Sequence, residues 1–548
     1  MSRLSKAAKA KNEINKLRLD ETVTNFMGGD SYKLNPLQTL KMVSASSIFG
    51  EPSYYRGSGM TPAYYSVDKL LAGYTVLSDE YCHKTTDEIF VKLIDAALDY
   101  DFKSTLEWAA NLRKDFFIRL NPQVIMVRAA RHPARAEFTA KYPSLFNEIN
   151  QKVMSRADDA LSQMSYYLYD NDGKKNCIPS ILKRSWAEKL GKLNAYQVNK
   201  YKNSEIGMIN AVRICHANSS TIDELMETGT VTVDKADKTW EQYRSEGKSW
   251  LWILENITLG HMALLRNLRG IFTEINDLEI CKVIMQGLKD GVKTGKQFPF
   301  RYWSALKAIQ ASSCNHKAVI IDALEECMDI ACENFPKLKG KTMCLSDNSG
   351  SAWHGLTTEY GLTTIAEIDN LSSVITAACS EEGYVGKFGD RLVVTPISKR
   401  RGILTQTEKI TEKRDSDVGG ATEGGIWEFF KNAIDKKEHW DNIFIYSDQQ
   451  AGHGGLYGTS AQSHEYGSRG YDTNERGWSS SYINVFKLIQ DYRKYVNPKV
   501  NVFSIQTAGY NNALIPENIY RGAILYGWTG REAVYADEII RQWDEIEN

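Results

Sequence analysis

The chain has 548 residues, 42% of them hydrophobic and 25% charged, with a formal net charge of −1. That length is too great for one ordinary core, so two or three domains are expected. No apolar run approaches the roughly 18–20 residues that span a bilayer, which excludes a membrane-spanning helix.

The N-terminal stretch, "MSRLSKAAKAKNEINKLRLDE", is basic and polar with no apolar core, so it is expected to be a flexible arm or amphipathic helix rather than a secretory signal. Nine cysteines stand singly, and the closest pair, Cys327 and Cys332, fits no CxxC zinc or redox spacing. Reduced thiols and a cytoplasmic location are the expectation. Residues 36–335 read almost entirely as helices. In "TDEIFVKLIDAALDY" (86–100), Ile89, Leu93, Ala96 and Ala97 fall on one face at helical spacing. Helix after helix, with little strand alternation and no clear period, points to a solenoid or ring of helical repeats. Residues 1–340 carry a net charge of +6 and residues 341–548 one of −7, and the stretch 101–213 alone carries +8. A basic first part is compatible with nucleic-acid binding, and equally with a solvated helical surface.

The texture changes near 335–340, "FPKLKG". Candidate strands follow at 341–346, 391–396, 442–447, 500–505 and 522–526, with helical stretches at 363–381, 424–435, 481–495 and 530–545. This alternation predicts a doubly wound, parallel α/β sheet. The Gly- and Ser-rich stretch 449–480 is too long for an ordinary connection and reads as a mobile or ligand-facing loop.

At the carboxyl end of the first strand stands "SDNSGSAWHG", where Asp347, Ser349 and Ser351 form D-x-S-x-S. Ligands collect at that end of an open α/β sheet, so the motif is either a hard-cation site or a polar loop. Two later elements favour the cation. "DVGGATEGG" puts Thr422 in a glycine-rich loop before a helix, and "IFIYSDQQ" puts Asp448 directly after an apolar strand. Carboxylates and hydroxyls suit Mg²⁺, which takes six oxygens and keeps several waters. The set resembles the metal-ion-dependent adhesion site of von Willebrand factor A-type domains. That resemblance implies direct coordination by Ser349, Ser351 and Thr422, with Asp347 and Asp448 acting largely through water and one position open for an acidic ligand.

In the helical part, "NFMGGDSYKLNPLQTL", "LRKDFFIRLNPQVIMVRAA", "LNAYQVNKYKN", "NAVRICHAN" and "HMALLRNLRG" resemble successive segments of the TROVE module of Ro autoantigen proteins. Near the C-terminus, "SIQTAGYNNALIPENIYRGAILYGWTG" resembles the closing segment of bacterial members. The resemblance runs from about residue 25 to 545, with motifs in the family's order. It implies an N-terminal arm (1–24), an all-α HEAT-like TROVE ring (25–338) and a Rossmann-like A-type domain (339–548). In that family small noncoding Y RNA lies on a basic outer surface, and single-stranded 3′ ends of misfolded RNA enter a central hole.

Carried over by position, "NKYK" and "RICH" put forward Lys200 and His216 as RNA contacts, with Arg213 nearby and Lys183-Arg184 in the adjoining basic helix. Where the family has a further basic residue after "KYK", this chain has Asn203-Ser204-Glu205. Arg113, Lys114, Arg119, Arg128 and Arg131 are further candidates for lining the ring, from charge rather than motif. The bland alternatives are a capping histidine at 216 and a helix-packing role for "LRNLRG" (265–270). "EGKSW" and "GVKTGKQ" fail as phosphate loops because the required glycine and strand are missing. His354 is read as structural, since no nucleophile, base or metalloprotease motif accompanies it.

The resulting expectation is a non-enzymatic, monomeric RNA-binding ring protein with a Mg²⁺ site, serving RNA quality control together with an exoribonuclease. The rival is a Mg²⁺-dependent protein-binding scaffold whose RNA affinity is incidental. An RNA-processing enzyme is a weaker third.

Overall fold

The computed structural model describes residues 22–24, 30–32, 35–45, 86–115, 118–175, 177–232, 239–295, 297–333, 335–354, 363–420, 423–447, 485–507, 514–515, 519–526 and 530–547. Two compact units are present, one formed by the described residues of 35–51 and 83–246, the other containing those from 247 onward. The change of texture at 335–340 does coincide with the first long strand, but the compact units divide elsewhere, at 246/247.

The first unit is all helix. The apolar stripe of "TDEIFVKLIDAALDY" forms the helix Thr86–Tyr100, with Leu93, Ile94, Ala97 and Leu98 buried. Local chemistry starts and stops the helices that follow. Asp101 caps Phe102–Lys114 by accepting the Ser104 N–H at 3.0 Å. Asn194 and Gln197 form a capping box on Ala195–Lys200. Ser219 caps Ser220–Thr228, which ends at Gly229 in the left-handed region (φ +73°). The core also holds a buried amide network. Gln163 Nε2 donates to Gln123 Oε1 and to Asn150 Oδ1, both at 2.7 Å, and its Oε1 accepts the Trp186 indole N–H at 2.8 Å. Four helices, Asn121–Arg131, Leu145–Val153, Asp159–Tyr169 and Ser180–Gly191, are joined through this one side chain.

A short antiparallel hairpin pairs β1 (Thr22–Thr24) with β2 (Asp30–Tyr32). The main sheet comprises β3 (Leu338–Asp347), β4 (Ser380–Phe388), β5 (Leu392–Pro396), β6 (Asn442–Ser447), β7 (Asn501–Gln506) and β8 (Gly522–Tyr526), in the order β5-β4-β3-β6-β7-β8. All neighbours are parallel except β4 and β5. The doubly wound sheet is therefore present, with an antiparallel edge. Sequence patterning misses β4, because "SEEGYVGKF" mixes glycines and charges. Its glycines serve close packing: a Cβ at Gly383 would collide with the Ala377 carbonyl, and one at Gly386 would stand 2.8 Å from Leu345. The polar helix Ile403–Thr411 is missed likewise.

Successive strands lead away from β3 on one side and from β6 on the other. The carboxyl ends of β3 and β6 thus flank the topological switch point, where open α/β sheets bind ligands. One face of the sheet packs Met343, Leu345, Ile443, Ile445 and Val502 against Ile426, Phe430, Leu488 and Ile489 of two helices. The helix Ile365–Ala378 lies against β3 and β4 and is buried along its length.

Candidate metal centre and nucleic-acid interface

Asp347 ends β3 at the switch point and is fully buried. Its Oδ1 accepts the Ser349 N–H at 2.9 Å, and its Oδ2 accepts the hydroxyl of Ser447, the last residue of β6, at 2.7 Å. Burial pushes the carboxyl above its ordinary value of 3.8, while the hydrogen bonds from Ser349 and Ser447 pull the other way. Ser349 is 1% exposed and Ser351 is open to solvent, with their hydroxyl oxygens 3.0 Å apart. An octahedral Mg²⁺ with oxygens at about 2.1 Å places adjacent ligands about 3.0 Å from each other, so the two hydroxyls have the spacing of neighbouring ligands.

Two further contacts bring other loops to the motif. The Gly350 N–H donates to the Gly420 carbonyl at 2.8 Å, and the Asn348 N–H donates to the Phe388 carbonyl at 2.9 Å. Asn348 and Asn370 exchange amide hydrogen bonds of 2.8 and 3.1 Å behind the loop. Thr422 and Asp448 lie outside the described residues. Among the described residues, no three His, Cys, Asp or Glu side chains cluster as metal ligands. The donor set of one buried carboxylate and two hydroxyls fits a hard cation and does not suit a soft one.

The candidate RNA residues fall into two groups. Those carried over from motifs are mostly exposed. Arg184, Lys200, Arg213 and His216 are open to solvent and Lys183 is half-buried, and no acidic side chain among the described residues pairs with any of them. Lys183 and Arg184 lie near the start of helix Ser180–Gly191, which packs on helix Met208–Cys215, whose last turn carries Arg213. Lys200 sits beside two phenol rings, 5.9 Å from Tyr196 and 5.8 Å from Tyr201. His216 is the C-cap of Met208–Cys215, left-handed at φ 58°, with its N–H on the Val212 carbonyl at 2.7 Å. Its backbone therefore performs the capping role while its ring stays exposed.

The charge-based candidates differ from these in their partners. Arg113 is buried, with guanidinium bonds to Asp159 at 3.1 Å and Ser155 at 2.7 Å, so it offers nothing to a polyanion. Arg119 pairs with Asp158, Arg128 with Asp95 and Asp170, and Arg131 with Asp170. Those three keep an exposed edge but are already neutralised. Lys114 is exposed, 4.0 Å from Asp115. Net charge shows the excess of cations over acids in a segment, whereas pairing depends on which acids the fold brings alongside. The helical "LRNLRG" buries Leu265 and Leu268 while leaving Arg266 and Arg269 exposed.

Helical repeats joined to a doubly wound sheet with D-x-S-x-S at its switch point define the class: a helical-repeat protein with a von Willebrand A-type domain. Among solved structures, the crystal structure of a Ro protein (RSR) from Deinococcus radiodurans matches 84% of this chain and 95% of that one, at TM-score 0.54 and 13% identity. The fold is thus that of a Ro-type protein. No protein-family model matches the chain, and no curated protein matches it. No described helix is long and apolar enough to cross a membrane.

Proposed function

We propose that this chain is a Ro-type RNA-binding protein of the cytoplasm, without catalytic activity of its own. It holds a small noncoding, Y-like RNA on the surface around Lys183, Arg184, Lys200, Arg213 and His216. It takes 3′ ends of misfolded RNA into a central hole, as a monomeric ring. One observation carries the reading: among the described residues none of the basic side chains that match the family's motifs has an acidic partner, and Arg184, Lys200, Arg213 and His216 are exposed, whereas Arg113, Arg119, Arg128 and Arg131 are held by carboxylates. Unpaired Lys and Arg attract phosphates in a salt-sensitive way, and rings beside Lys200 offer stacking. The A-type domain, with Mg²⁺ held by Ser349, Ser351 and Thr422 and by Asp347 and Asp448 through water, would attach an acidic protein partner such as an exoribonuclease.

The test is a titration of a stem-loop RNA with a single-stranded 3′ tail at several salt concentrations. Affinity should fall steeply with salt, and the double change Lys200→Ala, His216→Ala should weaken the stem-loop about tenfold or more while sparing a tail alone. Absence of RNA binding would leave the protein scaffold as the better reading.

A further inference from the structure

We propose that Glu325 and Asp329 are positioning residues for the metal loop, so that cation binding and the seating of helix Lys317–Cys332 are energetically coupled through helix Ile403–Thr411. The proposal rests on the metal reading above and adds its regulation.

Helix Ile403–Thr411 has no capping side chain of its own, and its N-cap is Gly402. Its leading amides are satisfied from far upstream. The Leu404 N–H donates to Glu325 Oε1 at 2.7 Å, the Thr405 N–H and hydroxyl donate to Glu325 Oε2 at 2.8 and 2.6 Å, and the Ile403 N–H reaches Asp329 Oδ1 at 3.3 Å. Two carboxylates one turn apart on helix Lys317–Cys332 thus sit at the positive end of this helix, where anions are favoured. A Cβ at Gly402 would stand 2.0 Å from Glu325 Cδ, so a larger residue there would displace the Glu325 carboxylate from this seat.

The far end of the same helix reaches the metal loop in two ways. The Thr411 hydroxyl accepts from Asn370 Nδ2 at 3.3 Å, and Asn370 is bonded to Asn348, between Asp347 and Ser349, and to the Ser346 hydroxyl at 2.7 Å. Asn348 and Asn370 are both fully buried, so these bonds have no water to replace them. The chain leaving Thr411 then runs to Gly420, whose carbonyl holds the Gly350 N–H. A nine-residue helix is therefore clamped to helix Lys317–Cys332 at one end and to the loop carrying Asp347, Ser349 and Ser351 at the other. Ordering that loop around a cation stabilises the clamp, and by linkage the clamp stabilises the bound cation to the same degree.

The test uses the full chain, with Mg²⁺ and Mn²⁺ binding measured by calorimetry and amide exchange followed over residues 402–411. In the wild type, cation should slow exchange of the Ile403–Thr405 amides, and Glu325→Gln should weaken cation binding about fivefold or more. Thr411→Val, a mild change, removes one of the two links: it should reduce the cation-dependent slowing while leaving exchange without cation unchanged. A merely structural clamp would not respond to cation. Wild-type binding that is lost in Asp347→Ala, yet unaltered in Glu325→Gln and without slowing at 403–405, overturns the coupling and leaves the metal site standing. No binding in the wild type overturns the metal reading itself.

Discussion

Asp347 carries a carboxylate to a place where water cannot reach it, and its two oxygens are occupied by Ser349 and Ser447 rather than by a counter-charge. A buried anion held only by neutral donors is costly, and a cation at the Ser349–Ser351 hydroxyls would relieve that cost. Asp347→Ala should therefore abolish Mg²⁺ binding in calorimetry while changing RNA affinity less than about twofold, since the RNA candidates lie in a different compact unit. A second buried titratable group, His261, is 9% exposed, with Nε2 2.9 Å from the Tyr302 hydroxyl. Burial holds its imidazole below the ordinary value of 6.5, with the Leu288 carbonyl pulling the other way. The fold prefers the neutral ring, so this contribution is complete above pH 6.5 and is lost as pH falls from there through the lower folded value. Urea midpoints at pH 7.5 and 5.5 should differ more in the wild type than in His261→Gln.

At the scale of elements, polar groups specify how the helices and strands are arranged. Gln163 is the hub of a fully buried network, and Gln163→Leu would leave Gln123, Asn150 and the Trp186 indole without it. A loss of about 3 kcal/mol in urea unfolding is expected, since each stranded buried group costs about 1–3 kcal/mol. In the sheet, Thr342, Asn442 and Asn501 stand in register on β3, β6 and β7. Asn442 donates to Thr342 at 3.0 Å and accepts from Asn501 at 2.8 Å, and Arg521 Nε donates to Asn501 at 2.8 Å. This ladder pins the register of three parallel strands at their amino ends. Apolar periodicity made the helix 86–100 and strand 442–447 legible from the chain, with matching bounds. It could not reveal β4 or helix Ile403–Thr411, whose stability comes from a neighbouring backbone and a distant carboxylate.

For the molecule as a whole, the compact unit containing the sheet also takes in the described helices from 247 to 332. Helix Ile403–Thr411 takes its N-terminal cap from Glu325, and Glu408 meets Gln310 at 2.5 Å. A fragment 247–548 should accordingly melt at least several degrees above a fragment 339–548, by circular dichroism, because the shorter piece loses that cap and exposes the faces it packed. The change from helices to a doubly wound sheet, most of its strands and the D-x-S-x-S at the end of its first strand were determined by the sequence itself, because periodicity and motif spacing are local. Which arginines stay available, where the compact units divide and what clamps the metal loop were decided only in three dimensions. Arg113 and Asp159, or Glu325 and Leu404, are distant in the chain, and only folding sets a charge or a free amide beside its partner.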